Sequence, residues 1–190
     1  MKTRALAFLA FLAVGAMLGG CFALREPEAP GTAGTWTSPT QPSILLENFD
    51  LAVTTLNPVN YERCFAPNLH FIPDPATAGS ASGVFDNWTL AEERIYLARL
   101  KESSSVATAN QLVFTGKQEV FFNADSLEIN TRYTLNLQHE DTTFRHYHFA
   151  GAMRLILRRR QNEWQILSWQ DNRNSDSLCW TDLKKHFYAP

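Results

Sequence analysis

Two stretches alternate apolar and polar residues so strictly that they constrain the fold more than anything else in the chain. Ile129, Thr131, Tyr133, Leu135 and Leu137 alternate with Asn130, Arg132, Thr134, Asn136 and Gln138. A period of two places the first set on one face of a β-strand and the second on the other. Tyr147, Phe149, Gly151, Met153, Leu155 and Leu157 repeat the pattern. A loop at Asp141-Thr142-Thr143 then sets Leu137 opposite Tyr147, Leu135 opposite Phe149 and Tyr133 opposite Gly151, so that like faces meet along an antiparallel ladder. Gly151 opposite Tyr133 predicts a bend that the tyrosine ring covers. Leu112 and Phe114 open a strand ahead of this ladder, and Arg158-Arg159-Arg160 closes a hairpin after it. In the last strand, Glu163 to Asp171, Trp164 and Ile166 share one face while Leu167, Trp169 and Asp171 share the other. Either one face is semi-apolar on the outside, or a bulge at Leu167-Ser168 turns both tryptophans inward.

Before residue 110 the period is helical. Leu45, Phe49, Ala52 and Leu56 line one face of a helix over Ile44 to Leu56. Asn57 as N-cap with Pro58 at the first helical position starts a second, short helix carrying Tyr61 and Phe65. Leu69, Phe71 and Pro73 alternate with His70 and Ile72 in a short strand that stops at Pro73-Asp74-Pro75, and Ala76 to Asn87 reads as a small-residue loop. Thr89 and Glu92 form a capping box for a helix through Leu100, with Ala91, Ile95 and Ala98 on one side. Asn172 to Ser177 is a polar turn, and Trp180 to Phe187 a short C-terminal helix or packing segment. Helices followed by a meander predict an α+β fold of order α-α-β-α-β-β-β-β. Its helices pack in the concave face of a strongly curved antiparallel or mixed sheet.

The N-terminus addresses location. Lys2 and Arg4 precede an uncharged apolar run, Ala5 to Leu18, and Leu18-Gly19-Gly20-Cys21 resembles the lipobox of bacterial lipoproteins. That resemblance implies that residues 1–20 are a signal peptide and that lipid is attached at Cys21. With Phe22 next, it implies residence at the outer membrane, facing the periplasm. Ala5 to Leu24, at about 20 residues, also reaches the length of a membrane-spanning signal anchor, which is the alternative. Residues 21–42 form the lipidated cysteine and a tether rich in Pro, Gly, Thr and Ala, and residues 43–190 the domain. Trp36 is the tether's one tryptophan, with both the membrane interface and the domain open to it. The chain has 17 basic and 19 acidic residues; without Lys2 and Arg4, 15 basic residues leave a net charge of −4. This argues against nucleic acid as a partner and against a polybasic membrane patch. Cys64 and Cys179 admit two readings, a disulfide in an oxidising envelope or two buried thiols.

Tyr61-Glu62-Arg63-Cys64-Phe65-Ala66-Pro67-Asn68-Leu69-His70-Phe71-Ile72-Pro73, the helix from Thr89, and Trp164-Gln165-Ile166-Leu167-Ser168-Trp169-Gln170-Asp171 together resemble the nuclear transport factor 2-like superfamily. This is the cystatin-like cone shared with ketosteroid isomerases and polyketide cyclases. The resemblance covers about Ser43 to Tyr188 and implies an apolar pocket between sheet and helices. Candidates to line it are Tyr61, Phe71, Tyr133, Phe149, Trp169 and Asp171, with plain core packing as the alternative for the aromatics. Asp171 in an apolar cleft would be a general acid or base. Otherwise it caps the Asn172-Arg173-Asn174 turn or pairs with Arg173. His70-Asp171 and Tyr61-Asp171 pairs are both open. Isomerase chemistry would need a tyrosine and an aspartate that this chain does not place in the family's positions: Ile44 to Leu56 has no tyrosine, and Asp74 lies between prolines.

His146 and His148 share a strand face at a spacing metal sites use, but their expected neighbours Gln138 and Asn136 are poor ligands, so no metal is expected. The chain has no nucleophile motif, phosphate loop or dinucleotide fingerprint, and no cofactor is expected. Three functions stay in view. One is a non-catalytic, lipid-anchored envelope protein binding an apolar small molecule or an envelope protein. Another is a ketosteroid-isomerase-like or cyclase-like enzyme using Asp171. The third is a dimerisation module using the outer sheet face at Asn136, His146, His148 and Ile156.

Overall fold

The computed structural model describes residues 36–104 and 110–188, so the signal segment, Cys21 and most of the tether lie outside the described residues. In chain order the elements are α1 (Pro42–Thr54), α2 (Pro58–Arg63), β1 (Phe65–Ile72), α3 (Pro75–Gly79), α4 (Leu90–Glu102), β2 (Gln111–Asn123), β3 (Ser126–Asn136), β4 (His148–Arg160), β5 (Glu163–Arg173) and α5 (Trp180–Tyr188). The five strands form one sheet in the order β1-β5-β4-β3-β2, with β1 parallel to β5 and the other pairs antiparallel. The helices cover one face of this curved mixed sheet, which is the α+β plan expected.

The ladder pairs Tyr133 with Gly151 and Leu135 with Phe149, the register that the alternation requires. Gly151 is needed there for space. A Cβ on it would stand 2.6 Å from the Asn172 carbonyl oxygen and 2.7 Å from the Tyr133 hydroxyl. β4 begins at His148, yet the Leu137 amide still donates to Tyr147 O at 2.9 Å as the register requires; the Tyr147 side chain is exposed rather than inward. The β4–β5 hairpin turns through Gln161 and Asn162, both at positive φ, 51° and 68°. Such a turn matches the twist of the strands it joins. In β5 the register jumps between Leu157↔Ile166 and Ile156↔Ser168, leaving Leu167 as the extra residue of a bulge. Trp164 and Trp169 therefore both point inward and are buried.

Asn57 caps α2, accepting from the Asn60 amide at 3.1 Å, and the Thr89–Glu92 capping box is present at α4. α1 ends two residues early. The Asn57 amide bonds Ala52 O and the Leu56 amide bonds Val53 O, with Leu56 at φ 47° in the position glycine usually takes. The expected loop after Pro73 contains a one-turn helix instead. Asp74 accepts from the Ala76 and Thr77 amides at 3.1 Å each, and Pro75 occupies the first helical position. The expected face of α4 is also corrected. Ile95 and Ala91 are exposed, while Glu93, Tyr96, Leu97 and Leu100 face the core. Packing on the domain begins at Trp36, ahead of Ser43. The Arg63 guanidinium lies 4.1 Å from the Trp36 ring centroid, Asn48 bonds both backbone groups of Thr37, and the Trp164 amide donates to Pro39 O.

Candidate functional site

Tyr61, Phe71, Tyr133, Phe149, Trp169 and Asp171 all face the space between sheet and helices, as expected, and each is at most 2 % exposed. The five aromatics among them belong to the hydrophobic core. The space is filled by α5, whose Trp180, Leu183 and Phe187 pack into the core. Trp180 lies against Phe49, Tyr133 and Trp169 at ring-centroid distances of 5.6, 5.4 and 4.8 Å. Aromatic pairs of this kind contribute about 0.5–1.5 kcal/mol each beyond the area they bury. Phe149 stands apart from the other candidates, stacked against Phe144 at 6.0 Å.

Asp171 reaches the core because the Leu167 bulge resets the parity of β5. Its Oδ1 accepts from the Tyr133 hydroxyl at 2.7 Å. Its Oδ2 accepts from the Thr181 amide and hydroxyl, each at 2.7 Å. The Tyr133 hydroxyl oxygen in turn accepts from the Trp180 amide at 2.7 Å. Asp171 thus holds the N-terminus of α5, where exposed amides and the helix dipole favour a carboxylate. It caps neither the Asn172-Arg173-Asn174 turn nor pairs with Arg173. Arg173 binds Asp182 at 3.0 Å and donates its backbone amide to Asp74 at 2.9 Å. Burial raises the Asp171 pKa, opposed by the Thr181 and Tyr133 hydrogen bonds. Burial, then Asp171 itself, pushes Tyr133 well above its usual range. A raised carboxylate would suit acid–base chemistry, but both oxygens of this one are fully engaged and no solvent reaches them. His70 is exposed on β1, and Tyr61 bonds elsewhere, so neither pair imagined for Asp171 forms.

Tyr61 donates instead to Glu93 Oε2 at 2.9 Å. Trp88 Nε1 donates to Glu93 Oε1 at 2.8 Å, and the Lys184 ammonium forms an ion pair with that same oxygen. Glu93 and Lys184 are both fully buried. The ammonium also sits 3.5 Å from the Phe71 ring centroid and 3.6 Å from that of Trp169. Burial lowers the Lys184 pKa to about 8, against the pull of Glu93. The Trp169 indole N–H is buried without a partner. Sequence reasoning missed this cluster. Its signal was a charged residue inside an apolar helical stripe, Glu93 with Tyr96, Leu97 and Leu100, and Lys184 with Trp180, Leu183 and Phe187.

Cys64 and Cys179 are separate, buried thiols, and burial raises the pKa of each. His148 Nδ1 lies 2.7 Å from Asn136 Oδ1, the cross-strand neighbour expected for it. Among the described residues no three His, Cys, Asp or Glu side chains converge to hold a metal. The face of the sheet turned away from the helices is open. It carries a groove of about 570 Å³ lined in part by Gln118, Asn130, Arg132, Arg154, Gln170 and Asn172.

A curved mixed sheet with helices in its concavity defines the class of cystatin-like cone proteins, and solved structures agree. A protein of Novosphingobium aromaticivorans provisionally named an aromatic ring hydroxylase matches at TM-score 0.58 and 13 % identity, over 75 % of this chain and 92 % of that one. A nuclear transport factor 2-like protein of unknown function in nutrient uptake from Rhodospirillum rubrum matches at TM-score 0.55 and 12 % identity, over 70 % and 98 %. A provisionally named scytalone dehydratase of Novosphingobium aromaticivorans matches at TM-score 0.55 and 7 % identity, over 72 % and 88 %. At such identities the likeness is one of fold: the chain has the nuclear transport factor 2-like cone. No family model and no curated protein matches it.

Proposed function

We propose that this is a lipid-anchored envelope protein whose cone is non-catalytic and which works by contact with another envelope protein through the outer face of its sheet. The observation that carries the reading is the fate of the cone interior, where its own C-terminal helix occupies the space a substrate would need. The enzyme reading required an accessible Asp171, and that carboxylate is fully buried among three donors. The outer face has the complementary character. Its polar groove is concave and open, and Arg132 there is exposed. Anchoring at Cys21 rests on the lipobox resemblance, and it would hold this face within reach of other envelope proteins.

The test is photo-crosslinking in intact cells from positions 132 and 152 on the outer face and from position 59, an exposed site on α2. The reading expects a crosslinked partner of one mass from 132 and 152 and none from 59. Crosslinks that are absent at 132 and 152, or equal at all three positions, would overturn it. In the same strain Cys21→Ala should abolish lipid labelling and release the chain from membranes. Continued membrane association after an alkaline wash would instead favour the spanning anchor.

A further inference from the structure

The Lys184–Glu93 pair is built like a recognition site. Glu93 is held from two sides, by the Tyr61 hydroxyl and the Trp88 indole, with its Oε1 turned to the ammonium. The Phe71 and Trp169 faces enclose the same nitrogen at cation–π distance, with Trp88 and Tyr96 farther out at 5.6 and 5.9 Å. A carboxylate acceptor beside aromatic faces is the arrangement that selects an organic cation. The acceptor also asks for an N–H donor, which a quaternary ammonium lacks. A neutral occupant would leave the Glu93 charge buried and unpaired. The occupant arrives on a terminal helix of nine residues, tied at its start by Asp171 and near its end by His186 to Asp141 at 2.7 Å.

We propose that the cone interior is a primary-ammonium binding site, closed in cis by Lys184 acting as a tethered ligand, and that it accepts a free n-alkylammonium ion when that side chain is removed. Lys184→Ala deletes three carbons and the ammonium, the size of n-propylammonium, so the vacated channel matches that ion in length and charge.

The experiment is thermal unfolding of the purified full chain, wild type and Lys184→Ala, in n-propylammonium chloride against sodium chloride at equal ionic strength. The site expects a saturable rise of several degrees in the Lys184→Ala melting temperature with n-propylammonium. It expects no such rise in wild type, and none in the variant with propan-1-ol or tetramethylammonium. A folded Lys184→Ala protein that n-propylammonium does not stabilise, or that propan-1-ol stabilises as much, overturns the proposal. Should Lys184→Ala fail to fold, Lys184→Met and the double variant Glu93→Gln/Lys184→Met decide the matter. The proposal expects Lys184→Met to melt well below wild type and the double variant to recover most of the difference. A Lys184→Met protein that melts with wild type, or a double variant that recovers nothing, overturns it.

Discussion

The two faces of the sheet are made by the same strands one residue apart, yet they obey different rules. The helix-side face of β3, β4 and β5 pairs its buried charges and most of its buried polar groups, with the Trp169 indole N–H as the exception. Asp171, Tyr133, Trp180 and Thr181 satisfy one another, as do Glu93, Tyr61, Trp88 and Lys184. The outer face is polar and open, and its ion pair, Arg154 with Glu128, is partly exposed. The interior of the cone is occupied by a helix from the same chain, while the groove of the outer face stays open.

Changes that break the inner face should therefore be costly and changes to the outer face cheap. Lys184→Met leaves Glu93 buried without its counter-charge and should lower stability by about 3–5 kcal/mol, read by urea denaturation. A loss below 1 kcal/mol would erase the contrast. Gly151→Ala forces a Cβ against the Asn172 carbonyl and the Tyr133 hydroxyl. It should destabilise by about 1–3 kcal/mol, and an unchanged urea midpoint would mean the sheet bends freely there.

Alkaline pH probes the inner face without mutation. Burial raises the pKa of Cys64, Cys179, Tyr61, Tyr96 and Tyr133 above the ordinary 9.0 of a thiol and 10.0 of a phenol. The folded chain then holds protons that the unfolded chain releases, so their contribution to stability is lost as pH rises through those ordinary values. Lys184 runs the other way. Its pKa falls from 10.5 to about 8, so it adds stability between those two values. With five raised groups against one lowered, the melting temperature should fall from about pH 9 upward. A melting temperature level to pH 11 would mean that solvent reaches these groups in the folded chain. At the small end, Arg132→Ala on the outer face should shift stability by no more than about 0.5 kcal/mol. A larger loss in urea would give that face a structural duty of its own.

Much of this architecture could be read from residue pattern. The Tyr133–Gly151 register, the Thr89 capping box and the Asn57-Pro58 helix start follow from local rules that packing left intact. The bulge in β5 could be framed as a choice, since two tryptophans on opposite faces of one strand demand either exposure or an extra residue. Two things hid. α3 was legible in Asp74-Pro75, an N-cap followed by proline, but one helical turn is too short to show a period. The buried ion pair was hidden by its chemistry. Glu93 and Lys184 have the chemistry of surface residues, so the apolar period alone places Ala91 and Ile95 on the inner face of α4, where the structure exposes both. Each charge is internal only because the other is, and that pairing spans 91 residues of sequence.

The central claim is that the cone is filled by its own helix, and native mass spectrometry of the purified chain tests it most directly. The expected spectrum shows the polypeptide with no small molecule retained. A small molecule carried at one per chain and released only on unfolding would contradict it.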